Sequence, residues 1–230
     1  MRTIGLLGGM SWESSIEYYR LINAGIRERL GGNHSAECVM YSFDFDRIEH
    51  LQAVGDWETA GRVLAGAAAT VEHAGADMLL ICTNTMHRVY EAVAEAVSIP
   101  VIHIADPTAE AIAAAGVGRP LLLGTRYTME SDFYAGRLRS LHGLDVIVPE
   151  DADRAIVHEI IYEELVRGVV REESKRMYLE IIANGIARGA DSVIAGCTEI
   201  ELLIDAADVD VPLFPTAELH AAAAVREALR

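Results

Sequence analysis

The feature that most constrains this chain is an internal repeat. Gly75-Ala-Asp-Met-Leu-Leu-Ile-Cys-Thr83-Asn84-Thr85 aligns with Gly189-Ala-Asp-Ser-Val-Ile-Ala-Gly-Cys197-Thr198-Glu199 at an offset of 114 residues. Leu6-Leu7-Gly8 matches Leu122-Leu123-Gly124, and Ile99-Pro100-Val101 matches Val211-Pro212-Leu213, in the same order. Any two strand–loop–helix units of a doubly wound fold share some likeness. Three matched blocks in one order favour a duplicated domain instead. The repeat places Thr83 and Cys197 at equivalent strand ends. In open α/β sheets ligands bind just beyond such carboxyl ends.

Short apolar runs predict strands near 3–7, 37–42, 77–82, 100–104, 119–123, 144–148, 191–196 and 211–214. Helical periodicity lies between them, near 12–29, 57–74, 87–97, 107–115, 129–141, 152–167, 172–188 and 216–229. Continuous apolar strands alternating with amphipathic helices point to an α/β fold whose parallel sheets are covered on both faces. The expected organisation is two pseudo-symmetric domains, residues 1–105 plus 214–230 and residues 106–213, with the active site in the cleft between them.

The 230 residues are 51% hydrophobic, enough for a substantial core. The first apolar block, Ile4 to Leu7, is cut off by Gly8 and Gly9, so neither a signal peptide nor a membrane span is expected. Three widely spaced cysteines, Cys38, Cys82 and Cys197, make a poor disulfide framework and suggest a cytoplasmic protein. A formal charge of −16 argues against nucleic acid and anionic membrane as partners. Of 19 basic residues 18 are Arg, leaving Lys175 as the lone lysine. A pyridoxal-phosphate enzyme needs a Schiff-base lysine. Lys175 sits in a charged run, Arg171-Glu-Glu-Ser-Lys-Arg176, with no glycine-rich phosphate cradle nearby.

Cys197 follows an apolar strand and a glycine and precedes a helix start. A helix N-terminus would lower its pKa and favour thiolate, although a lone cysteine is more often a small buried apolar residue. Thr198 and Glu199 have a plain reading as N-cap and first-turn acid. In Cys82-Thr83-Asn84-Thr85-Met86-His87, Asn84 and Thr85 either cap the next helix or present donors to a carboxylate. Side chains alternate along a strand, so Cys82 is assigned to the core if Thr83 faces a cleft. His87, taken alone, reads as a structural or surface residue rather than a catalyst.

Four motifs in the right order span essentially the whole chain and resemble aspartate/glutamate racemases: Ile4-Gly-Leu-Leu-Gly-Gly-Met-Ser-Trp12, Thr83-Asn84-Thr85-Met86-His87, Leu123-Gly124-Thr125-Arg126-Tyr127-Thr128 and Gly196-Cys197-Thr198-Glu199-Ile200. The resemblance implies a homodimer without cofactor or metal, acting on a small acidic amino acid. Two residues, usually cysteines, flank the α-carbon; one removes its proton and the other returns one to the opposite face. It also implies donors to the α-carboxylate and amino group from Asn84, Thr85, Thr125, Thr128 and Thr198. Arg47 and Lys175 would hold carboxylates, and Met10 would line the pocket. Without it, Arg47 and Lys175 read as ordinary surface charge.

The sequence departs from that pattern where Thr83 stands in place of the first cysteine. A hydroxyl is far less acidic than a thiol of pKa about 8.5, so catalysis is expected to be asymmetric between enantiomers, with Cys197 the stronger base. Near the end, Pro215 precedes Thr216 where relatives often carry Asp, and that segment assigns no contact. The alternatives are a single-cysteine decarboxylase of the same superfamily and a non-catalytic binder of amino acids or dicarboxylates. A maleate isomerase is disfavoured because it would need both cysteines. Gly5-Leu-Leu-Gly8-Gly9 is no dinucleotide fingerprint.

Overall fold

The computed structural model describes all residues, 1–230. It divides into two units, Met1–Ile104 with His220–Arg230, and Ala105–Leu219. No helix is long and apolar enough to cross a membrane.

The first unit is built on a four-stranded parallel sheet in the order β2-β1-β3-β4, from β1 (Ile4–Gly8), β2 (Cys38–Ser42), β3 (Met78–Ile81) and β4 (Val101–Ile102). Every residue of β1 and β3 is buried, which explains their unbroken apolar sequence. Helix α1 (Trp12–Leu30) starts where the Ser11 hydroxyl accepts from the Ser14 N–H, and stops at Gly31, whose positive φ of 75° suits only glycine. Helices α2 (Phe45–Val54) and α3 (Trp57–His73) follow β2. Ala60, Leu64, Ala67, Ala68 and Val71 form the buried stripe of α3, at helical spacing. A Cβ on Gly5 would lie 2.6 Å from Val71 Cγ1, so glycine in β1 is what admits α3 at this distance.

The second unit repeats the plan. Its sheet order is β5-β6-β7, from β5 (Pro120–Gly124), β6 (Ser192–Gly196) and β7 (Leu213–Pro215), all parallel. An isolated bridge, Leu121 to Ile147, stands on the far side of β5, where β2 stands beside β1. Leu6 pairs with Leu80 as Leu122 pairs with Ile194, and Leu80 pairs with Ile102 as Ile194 pairs with Phe214. The helices here are α5 (Ala105–Ala114), α6 (Arg126–Glu130), α7 (Asp132–His142), α8 (Asp151–Glu163) and α9 (Glu172–Ala187), after α4 (Tyr90–Ala94) of the first unit. On α9, Gly185 lies under Leu121 with 2.5 Å available to a Cβ. The helix α10 (Thr216–Ala228) ends the chain, with the Thr216 hydroxyl donating to the Ala195 carbonyl at 2.9 Å.

Three expectations need correction, and one helix lies outside them. The strand expected at 144–148 reduces to the Ile147 bridge, because Pro149 ends the segment almost as soon as it pairs. The helix expected at 87–97 begins earlier, as a 3-10 turn over Thr85–Val89, and closes with α4. The helix expected at 129–141 is two helices broken at Ser131, whose extended backbone (ψ 149°) interrupts the hydrogen-bond ladder. Helix α2 was not anticipated, since only Ile48 and Gln52 of its ten residues are buried and its apolar signal is thin.

Candidate active site

In the first unit the candidate residues gather at the carboxyl ends of β1 and β3. After β1, Gly9 adopts φ 81°, and a Cβ there would meet the Phe43 carbonyl at 2.3 Å. Its N–H donates to Ser15 Oγ at 2.7 Å, and Met10 beside it is buried in the core of this unit. After β3, the Cys82 N–H still donates to the Leu7 carbonyl, and the Thr83 N–H then turns back to the Ile81 carbonyl at 2.8 Å. This tight turn ends the strand. Cys82 points into the core as expected, and burial pushes its thiol far above the usual range. Thr83 is half-buried.

Asn84 precedes the 3-10 turn without a side-chain capping bond, and both Asn84 and Thr85 are buried. The capping reading of Asn84 is therefore not what the structure adopts. His87 is locked on both ring nitrogens. Its Nδ1 lies 2.8 Å from the Thr83 carbonyl, which can only accept, while Nε2 accepts from the Ile104 N–H at 3.1 Å. The ring is thus the neutral Nδ1–H tautomer, and of the structural and surface roles the sequence left open the buried ring takes the structural one. His103 packs against it at 4.6 Å, and His220 bonds Tyr18 and the Ile102 carbonyl nearby.

In the second unit the corresponding strand ends carry Thr125 and Cys197. Thr125 caps α6, its hydroxyl 3.3 Å from both the N–H and the hydroxyl of Thr128, so these two predicted donors do meet. Gly124 and Gly196 are paired across the sheet, and a Cβ on Gly196 would lie 2.7 Å from the Leu123 carbonyl. The glycine pair lets the two strand ends run this close.

Cys197 follows β6 with extended backbone and leads into a 3-10 turn, Thr198–Leu202. Thr198 is not the cap; that position is Cys197 itself, with no side-chain capping bond. The expected lowering of the thiol pKa is overturned. Burial first, and then the Glu199 carboxylate, hold the Cys197 thiol well above its usual range. A five-residue 3-10 turn offers little helix dipole against a full charge at hydrogen-bond distance. The thiol donates to Glu199 Oε2 at 2.9 Å, and Glu199 is buried. Sequence reasoning missed that partnership, although an acid two residues beyond a cysteine on a tight turn was a visible signal.

The two residues expected to bind carboxylates both lie on helices, one in each unit. Arg47 is exposed on α2. Lys175, on α9, pairs with Asp208 at 2.7 Å, and that hydrogen bond raises its pKa further. No group of three or more His, Cys, Asp or Glu side chains is placed to hold a metal ion.

Register makes Thr83 and Cys197 equivalent. Ile81 pairs with Leu7, and Thr83 is two residues on; Ala195 pairs with Leu123, and Cys197 is two residues on. Each therefore occupies the same position beyond the sheet of its own unit, one bearing a hydroxyl and the other a thiol.

Residues 7–224 match the family described as Asp/Glu/Hydantoin racemase. The chain is 23% identical over 218 residues to the broad specificity amino-acid racemase RacX of Bacillus subtilis (strain 168), covering 91% of each chain. A crystal structure of a candidate Asp/Glu racemase from Yersinia pestis is 50% identical over 100% of both chains, with a TM-score of 0.94. That of an aspartate racemase homologue from Pyrococcus horikoshii OT3 is 35% identical, also over 100% of both, with a TM-score of 0.87.

Proposed function

Because the chain belongs to the Asp/Glu/Hydantoin racemase family, we propose that it racemises aspartate or glutamate without a cofactor, and does so asymmetrically. The observation that carries this reading is the register equivalence of Thr83 and Cys197, with a thiol on only one of the two.

In this reading Cys197 serves one face of the substrate α-carbon and Thr83 the other. The Cα–H bond breaks, its proton passes to sulfur, and the electron pair stays on carbon. A proton returned to the opposite face gives the other enantiomer. The α-hydrogen is very weakly acidic, so the carbanion needs donors aimed at the substrate carboxylate. Asn84, Thr85, Thr125, Thr128 and Thr198 are the proposed donors, with Met10 lining the pocket. Arg47 and Lys175 are the proposed cations for substrate carboxylates. They supply the local positive charge that an acidic ligand needs on a chain of net charge −16.

A cytoplasmic homodimer completes the proposal. An exposed apolar stripe on α1, formed by Trp12, Ile16 and Tyr19 at helical spacing, supports self-association.

The decisive test is α-proton exchange in deuterium oxide, followed by proton NMR. The parent should incorporate deuterium into aspartate or glutamate without added cofactor, and Cys197→Ala should lose exchange for both enantiomers. Ligand binding with no incorporation would make the protein a binder. Release of carbon dioxide would make it a decarboxylase.

A further inference from the structure

We infer that Glu199 is the positioning and proton-accepting partner through which Cys197 acts, an inference that rests on the racemase reading of the same thiol. The Cys197 S–H points at Glu199 Oε2 from 2.9 Å, and the carboxylate is held in place by its own backbone, two residues along the same 3-10 turn. Both groups sit against the core of the second unit, Cys197 packed on it and Glu199 buried.

The surroundings explain why such a partner is required. The ionisable groups acting on the sulfur are Glu199 and Glu201 from its own turn, with Tyr178 of α9 close enough to feel both Cys197 and Glu199. Glu164 acts on Tyr178 from beyond α8. None of them is a cation. Burial and like charge both disfavour a free thiolate and hold the thiol above its usual range. A protonated thiol is no base by itself, but the thiol and carboxylate together are one.

The step balances as a relay. The Cα–H bond breaks and its proton forms a new S–H bond, leaving the electron pair on carbon. The original S–H bond breaks in the same event, and its proton forms an O–H bond on Glu199. One negative charge moves from the carboxylate to the substrate carbon, and no outside acid, base or oxidant is consumed. The reverse passage protonates the carbanion from sulfur and restores the carboxylate.

The test compares parent, Glu199→Gln and Glu199→Asp in α-proton exchange at saturating substrate, with Cys197 alkylation by iodoacetamide read by peptide mass spectrometry. The Gln side chain keeps the size and still accepts the S–H bond, but it cannot take the proton. Exchange should fall about 100-fold with KM within about twofold, while alkylation becomes faster because the repelling charge is gone. These opposite movements separate a proton acceptor from a merely structural residue, whose loss would change neither or depress both. Glu199→Asp should recover part of the exchange.

The parent gives an independent readout that needs no variant. A free-thiolate base would raise the exchange rate about tenfold per pH unit between about pH 6 and 9, whereas the pair predicts a plateau there. A steep rise in the parent, full exchange in Glu199→Gln, or exchange and alkylation rising together would overturn the inference alone. A parent that does not exchange, or a Cys197→Ala variant that still does, overturns the racemase reading and this inference with it.

Discussion

The imidazole of His87 holds the carbonyl of Thr83 at 2.8 Å from four residues further along the chain, while its other nitrogen takes the Ile104 N–H. One buried ring thus ties the end of β3 to the segment that follows β4. His87→Ala should leave a carbonyl and an N–H without these partners, and cost about 2–6 kcal/mol of stability, from roughly 1–3 for each buried unsatisfied group. Urea denaturation measures it. A loss under about 1 kcal/mol would mean that the turn at Thr83 stands without the ring.

Thr83→Cys should accelerate exchange chiefly for the enantiomer that the parent handles slowly. The substitution puts a thiol at the position equivalent to Cys197, and a thiol is several pKa units more acidic than a hydroxyl. At least tenfold is expected, read by deuterium incorporation for each enantiomer separately. Comparable rates for both enantiomers in the parent would make Thr83 itself a competent partner. At long times the two enantiomers must still approach equal amounts.

What the sequence made legible and what it did not have physical reasons. Strands β1, β3, β5 and β6 are buried on both faces, so their apolar runs announce them, and the matched blocks around them announce the duplication. Helix α2 buries little and leaves a faint signal. The positions of Thr83 and Cys197 follow from the repeat. The state of Cys197 does not, because a strand–glycine–cysteine pattern cannot distinguish an α-helix start from a 3-10 turn. The acid at Glu199 is visible in the sequence, but the rotamer that brings its carboxylate onto the sulfur is not.

Arg47→Ala and Lys175→Ala should each raise KM for aspartate and glutamate about tenfold, and alter alanine turnover little. The effect is modest because Arg47 is exposed and Lys175 already has Asp208 as a counter-charge. Asp208→Asn should move KM for acidic substrates in the opposite direction from Lys175→Ala by releasing the ammonium. Equal losses for aspartate and alanine would assign both cations to structure.

Asp106 on α5 accepts a two-point pair from Arg137 and a further bond from His142. Burial alone would raise its pKa, but the bonds from Arg137 and His142 outweigh it, and the net shift is downward. A carboxylate whose folded pKa is depressed contributes stability above its unfolded value of about 3.9, and loses it as pH falls through the folded value. The urea midpoint of the parent should therefore drop on acidification below about pH 4. Asp106→Asn should start roughly 1–2 kcal/mol lower at pH 7 and flatten that drop. Parallel acid slopes for the two proteins would remove Asp106 as a contributor.

All three cysteine thiols of this chain are shifted toward the protonated form. Burial lifts Cys38 to about 11 and Cys82 higher still, and burial with the Glu199 charge does the same for Cys197. Peroxides attack thiolates far faster than thiols, so the first oxidation product, a sulfenic acid, is expected to form slowly at each of them. The carboxylate that disfavours a free thiolate at Cys197 thereby also slows the attack of oxidants on that sulfur.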